Sequence, residues 1–119
     1  MSRRILVIDD SDLIRQVASL ALGRVGWEVL LAVDGRAGAA LAAAERPDAI
    51  LLDVVMPAPD GPATLALLRA DETTREIPVL LLTAKEDAVA EGAQGVLAKP
   101  FEIAALAGDV AAALGWEAP

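Results

Sequence analysis

The sequence predicts a doubly wound α/β domain built on five parallel strands, and three observations carry that prediction. Apolar runs of strand length recur at residues 4–8, 28–33, 49–52, 79–82 and 96–98. Those at 5–8, 49–52 and 79–82 are apolar at every position, as strands covered on both faces require. Segments with helical spacing lie between the runs, and parallel neighbours need a crossover that is usually helical.

The elements follow in order. Strand 4–8 leads into a helix on which Leu13, Val17 and Leu20 share one face, stopping near Gly23 and Gly26. Strand 28–33 precedes the alanine-rich segment 35–45, a helix by propensity as much as by pattern. After the third strand, Met56 to Pro62 carries three prolines around Asp60. Asp60 can cap a third helix marked by Leu65 and Leu68, with Pro62 in the first turn, where a missing N–H does no harm. Between the fourth and fifth strands a fourth helix fits only within 86–91, so it is expected to be unusually short, with 85–94 irregular. A last helix at 102–114 carries Ile103, Leu106 and Val110 on one face. The 119 residues suffice for one core, read as a single domain spanning 1–119 with no output domain.

Composition narrows the chemistry. The 55% hydrophobic content is divided into strand-length pieces, and the first residues lack a secretory cleavage pattern, so no membrane contact and a cytoplasmic location are expected. A net charge of −8, with few and scattered basic residues, speaks against a nucleic-acid partner. Cysteine and histidine are absent, which removes disulfides, soft-ligand zinc sites, cysteine nucleophiles and histidine triads. Carboxylates, hydroxyls, lysine and a hard metal ion are what is left.

In a parallel sheet all strands end on one edge, and ligands bind in the crevice outside it. Here the first strand runs into Asp9-Asp10, the third into Asp53, the fourth into Thr83 and the fifth into Lys99-Pro100. Singly, each has a bland explanation: an Asp after a strand often caps a helix, and Thr often ends a strand. Convergence is the informative feature. Three carboxylates brought together repel unless one is protonated or a cation neutralises them. An all-oxygen donor set suits Mg²⁺ or Mn²⁺, and magnesium commonly joins one or two carboxylates to a phosphate. A carboxylate can then act as nucleophile toward phosphorus, with the metal and a lysine offsetting the phosphoryl charge. Of the ten basic residues two are lysines, Lys85 and Lys99, and both lie just past strand ends on this edge.

These stretches, Ile5 to Asp10, Leu51 to Pro57 with Asp60-Gly61, Pro78 to Ala84, and Lys99-Pro100-Phe101, resemble the response-regulator receiver domains of two-component signalling over essentially the whole chain. The resemblance implies the flavodoxin-like sheet order 2-1-3-4-5 with five helices. It implies Asp53 as phosphoacceptor, Asp10 and Asp53 as direct metal ligands, Asp9 as a metal-site carboxylate acting mainly through water, and the Val55 carbonyl as a further ligand. Thr83 would donate its hydroxyl to a phosphoryl oxygen and Lys99 would pair with the phosphate, the Lys99–Pro100 bond being cis. It also implies a sensor histidine kinase or histidine phosphotransfer protein as donor and an unidentified downstream protein as target. No catalysis is implied beyond the domain's own phosphorylation and slow dephosphorylation.

Two positions depart from the family pattern. Val96 stands where many receivers place a switch Tyr or Phe, and the short fourth helix alters the face formed by the fourth helix, fifth strand and last helix. Phosphorylation is therefore expected to reorganise residues 83–94 rather than shift a formed helix. The apolar Val55 gives little help in positioning a hydrolytic water, so dephosphorylation is expected to be slow. Trp27 is read as structural, and Trp116 as core packing ahead of an exposed docking aromatic.

Three other readings are weaker. A small Asp-nucleophile phosphatase would need an acid/base carboxylate just after Asp53, where Val54 and Val55 stand. A receiver-like scaffold that takes no phosphate fits poorly with the full set Asp9, Asp10, Asp53, Thr83 and Lys99. A flavodoxin would want a hydroxyl-rich phosphate loop in place of the two aspartates.

Overall fold

The structure, a computed structural model, describes residues 3–84 and 92–119. Its elements in chain order are β1 (Arg4–Ile8), α1 (Asp12–Gly23), β2 (Glu28–Ala32), α2 (Gly35–Glu45), β3 (Ala49–Asp53), α3 (Gly61–Ala70), β4 (Val79–Thr83), β5 (Gly95–Ala98) and α4 (Ile103–Leu114). The five strands form one parallel sheet in the order β2-β1-β3-β4-β5. The expected sheet order is the observed one. Four helices lie among the described residues; the short fourth helix expected within 86–91, and most of the segment 85–94, fall outside them. Residues 92–94, which are described, have no regular structure, and the helix expected from 102 is α4, beginning at Ile103.

The continuous apolar runs of β1, β3 and β4 alternate between two cores. Ile5, Val7, Leu51, Leu80 and Leu82 pack beneath α1 and α4, while Leu6, Ile8, Ile50, Leu52, Val79 and Leu81 pack beneath α2 and α3. Burial on both faces explains why these strands show no polar alternation. At about 25 cal/mol per Å² of apolar surface, each such side chain contributes roughly 1.5–3 kcal/mol.

Helix starts are chemically marked. Ser11 accepts from the Ile14 amide at 3.2 Å, Asp34 from Ala37 at 2.8 Å and Asp60 from Ala63 at 2.9 Å, each satisfying an orphan N–H of a first turn. Pro62 lies in the first turn of α3, as expected. Asp9, Asp10 and Asp53 serve none of these caps, so the bland reading of their positions is taken up by other residues.

One helix face is reversed. On α1 the residues against the sheet are Ala18, Ala21 and Leu22, whereas Leu13 and Leu20 are 67% and 61% exposed. Both sets obey helical spacing, but the small Ala18 and Ala21 let the helix lie close to β1 and β2, and Leu13 and Leu20 are turned outward. On α3 the expected Leu65 and Leu68 are buried, and on α4 Leu106 and Val110 are buried while Ile103 lies at the rim. Boundaries moved by one residue: Val33 lies beyond β2, and Asp53, Thr83 and Gly95 belong to strands. Trp27 and Trp116 meet edge to face, with ring centres 5.6 Å apart, and Arg3 lies 4.1 Å from the Trp116 ring. Both tryptophans pack against the α1–α4 core, the structural role expected for Trp27 and the first of the two roles weighed for Trp116.

Candidate functional site

The carboxyl ends of β1, β3, β4 and β5 bring Asp9, Asp10, Asp53, Thr83 and Lys99 to one edge of the sheet. Register enforces this: Ile8 pairs with Leu52, Asp53 with Leu82 and Thr83 with Ala98, so the strands end at one level. Asp9, Asp53 and Thr83 are buried and Asp10 is exposed. Carboxylate oxygens of Asp9, Asp10 and Asp53 lie within 4.8 Å of one another.

Lys99 reaches into this cluster across the end of the sheet. Its Nζ donates to Asp9 Oδ2 at 2.8 Å and to Asp53 Oδ1 at 3.0 Å, and its backbone N–H donates to the Thr83 carbonyl at 2.9 Å. The Lys99–Pro100 bond is cis, as expected, and Ala58–Pro59 is cis as well. Asp9 is held on all sides: Oδ1 accepts from the Ser11 amide at 2.9 Å, its own N–H donates to Ala32 at 3.2 Å, and its carbonyl accepts from Arg15 Nη1 at 2.8 Å. Asp53 Oδ1 also accepts from the Val55 amide at 3.3 Å, and Val55 itself is 68% exposed.

The electrostatics follow from this packing. Burial pushes the Asp53 carboxyl above the ordinary aspartate range; the Lys99 hydrogen bond opposes this and the neighbouring Asp9 charge reinforces it. Burial by itself would lower the Lys99 ammonium, yet its hydrogen bonds to Asp9 and Asp53 and their charges outweigh that and raise it. One ammonium shared by two carboxylates leaves the cluster with excess negative charge. The donors are all hard oxygens, one of them on exposed Asp10, and this set fits a divalent cation such as Mg²⁺.

The loop after Asp53 is fixed from below. Gly61 N–H donates to the Val54 carbonyl at 3.0 Å, and a Cβ on Gly61 would lie 2.6 Å from Val54 Cα and 2.7 Å from the Asp53 carbonyl oxygen. Arg15 is the site residue that the sequence did not disclose. A charged side chain in the first two turns of a helix normally faces water, and its target here is a backbone carbonyl, which carries no side-chain signature.

A parallel sheet in this order, with an acid cluster and a reaching lysine at its carboxyl edge, defines a receiver-type α/β domain. The model of the response regulator receiver domain matches residues 5–111, and the chain belongs to that family. Among curated relatives, it is 43% identical over 106 residues to the DNA-binding dual master transcriptional regulator RpaA of Synechocystis, covering 84% of this chain and 44% of that protein. It is 41% identical over 108 residues to the response regulator PleD of Caulobacter vibrioides, covering 86% of this chain and 24% of that protein. The chain thus spans less than half the length of these relatives. Among solved structures, the chemotaxis response regulator CheY4 of Vibrio cholerae superposes with a TM-score of 0.88 at 33% identity, covering 95% of this chain and 99% of that one. The receiver domain of sensor histidine kinase PA1611 from Pseudomonas aeruginosa, described with magnesium coordinated in its active-site cleft, gives a TM-score of 0.82 at 30% identity, covering 97% and 99%. Of the described residues, no helix is long and apolar enough to cross a membrane.

Proposed function

We propose that this chain is a cytoplasmic phosphoacceptor module, in which Asp53 takes a phosphoryl group from a phosphohistidine on a sensor kinase or phosphotransfer protein and the change alters binding to a protein target. The observation that carries this is the Lys99 ammonium held between buried Asp9 and Asp53. A lysine so placed is ready to pair with an incoming phosphoryl oxygen once a cation takes over its carboxylate partners. An Asp53 carboxylate oxygen forms the bond to phosphorus while the phosphorus–nitrogen bond of the donor breaks, its electron pair going to the imidazole. Asp10 and Asp53 would hold Mg²⁺ directly, with the Val55 carbonyl, and Asp9 mainly through water. The ion supplies neutralisation of the carboxylates and of the phosphoryl oxygens. Thr83 would donate its hydroxyl to one phosphoryl oxygen and Lys99 would pair with another. Such a domain turns over no metabolic substrate.

The test is incubation with Mg²⁺ and a small phosphodonor such as acetyl phosphate. Stoichiometric, hydroxylamine-labile acyl phosphate that disappears in Asp53→Asn is expected. Failure of the wild type to label with any donor would favour a binding scaffold, and multiple turnover of a phosphomonoester would favour a phosphatase.

A further inference from the structure

The Asp9–Asp10–Ser11 turn must keep two carboxylates of like charge aimed at one point, and something other than the carboxylates has to hold it there. Four groups fix Asp9, three of them being the Ala32 carbonyl behind it, the Ser11 amide on Oδ1 and Lys99 on Oδ2. Lys99 is not a permanent anchor, since under the reading above it is drawn toward the phosphoryl group. The fourth is Arg15. Its side chain is 12% exposed, its Nη1 donates to the Asp9 carbonyl at 2.8 Å, and its Nη2 is paired with the carboxylate of Asp12. The guanidinium thus bridges the backbone immediately before Asp10 to the first turn of α1. Neither contact uses a carboxylate of the acid cluster, so neither competes with a cation or a phosphoryl group for its ligands.

We infer that Arg15 is a positioning residue for the metal: by clamping the Asp9 carbonyl to α1 it sets the turn from which Asp10 presents its carboxylate. This inference rests on the metal-dependent reading of the site. Groups that orient metal ligands from behind typically account for about 10- to 100-fold in metal affinity, and the clamp belongs at the lower end because it acts through backbone.

The geometry separates this role from a simple effect of charge. A guanidinium near three carboxylates repels a divalent cation, so if Arg15 acted by charge alone, neutralising it would tighten Mg²⁺ binding. A clamp predicts the opposite. Mg²⁺ binding to the full chain is measured by titration calorimetry at fixed ionic strength for wild type, Arg15→Met and Arg15→Lys. Arg15→Met is expected to weaken Mg²⁺ binding about 10-fold, with Arg15→Lys in between because an ammonium cannot span both partners. Acetyl phosphate labelling of Arg15→Met should fall at low Mg²⁺ and recover at saturating Mg²⁺. Unchanged or tighter binding in Arg15→Met overturns the inference. If Arg15→Met does not fold, wild-type affinity in Arg15→Lys overturns it equally. Absence of Mg²⁺ binding in the wild type would instead defeat the metal reading itself.

Discussion

The Lys99 ammonium donates to Asp53 Oδ1 at 3.0 Å while the same nitrogen holds Asp9 Oδ2 at 2.8 Å. All three side chains are at most 19% exposed, so the charges are shielded from water and their balance is felt in stability. Removing the lysine leaves two buried carboxylates of like charge uncompensated. Lys99→Met is therefore expected to destabilise the domain by about 3 kcal/mol at pH 7 in urea denaturation. The raised ammonium contributes stability that is complete below the ordinary lysine value of 10.5 and is lost as pH rises through its folded value. The wild-type advantage over Lys99→Met should accordingly shrink above pH 10.5. It should also shrink in acid as Asp53, whose carboxyl is raised above the ordinary range by burial, takes up a proton. A difference that persisted unchanged at both extremes would locate the lysine's contribution in packing instead.

Asp53 carries the opposite sign. Its folded carboxyl binds a proton more tightly than the unfolded one, because burial and Asp9 outweigh Lys99. Ionised Asp53 therefore costs stability above its raised value, and that cost fades as pH falls toward the ordinary 3.8. Asp53→Asn keeps an oxygen for Lys99 and removes the like charge facing Asp9. It should melt about 3 °C higher than wild type at pH 7, with the gain gone near pH 4. A variant less stable than wild type at neutral pH would show that the Lys99 bond outweighs the repulsion.

Much of this site was legible because topology did the collecting. Three fully apolar runs identify strands buried on both faces, parallel strands end on one edge, and whatever follows them must meet. That argument needs only the identities of Asp9, Asp10, Asp53, Thr83 and Lys99. Helix faces are less determinate: on α1 the Leu13, Val17, Leu20 set and the Ala18, Ala21, Leu22 set both satisfy helical spacing, and side-chain size favours the wrong one. Which set packs is decided by how closely the helix approaches the sheet, a property of the assembled layers. Arg15 was illegible for a related reason, since a helix arginine that binds a carbonyl looks in sequence like any solvated one. Likewise Ser11, not an aspartate, caps α1, and nothing local separates those alternatives.

Excess negative charge at the cluster ties metal binding to folding. At a Mg²⁺ concentration of 100 times the dissociation constant, stabilisation of about 2.7 kcal/mol is expected from linkage. Asp10→Asn should remove most of that gain while leaving stability without metal unchanged or higher, because a repelling charge is lost. Trp27 and Trp116 pack against each other beside Arg3, away from the strand ends that carry the site, so their emission should follow unfolding but not Mg²⁺ binding to the folded domain. Equal Mg²⁺ stabilisation of wild type and Asp10→Asn would rule out Asp10 as a ligand.

Val55 bears on how long the phosphorylated state lasts. Val55 is 68% exposed beside Asp53, the proposed phosphoacceptor, and its side chain offers a water nothing to bond to. Val55→Asn should speed loss of the acyl phosphate roughly 10-fold by orienting the attacking water, while its rate of formation changes little. The measurement is the decay of labelled protein after the donor is removed. Equal lifetimes would place the control of hydrolysis elsewhere in the pocket.

Gly61 links the fold of α3 to the loop that carries Val55. Asp60 caps the helix, the Gly61 amide holds the Val54 carbonyl, and the Val54 amide donates to Leu82 at 3.1 Å, so the backbone after Asp53 is pinned between α3 and β4. The space a Cβ would need at Gly61 is taken by Val54 Cα at 2.6 Å and by the Asp53 carbonyl oxygen at 2.7 Å. Both are backbone atoms, which cannot swing aside as a side-chain end can. Gly61→Ala must therefore push the Asp53–Val55 backbone outward, at an overpacking cost of about 2 kcal/mol. Because the displaced segment carries the proposed Val55 ligand, Mg²⁺ affinity should fall in the same variant, whereas Leu68→Ala, costing about 3 kcal/mol in the core beneath α3, should leave it near wild type. Comparing the two variants by denaturation and by Mg²⁺ titration separates displacement of the loop from general loss of stability. Equal Mg²⁺ affinity in Gly61→Ala and wild type would mean that the loop after Asp53 can shift without disturbing the ion.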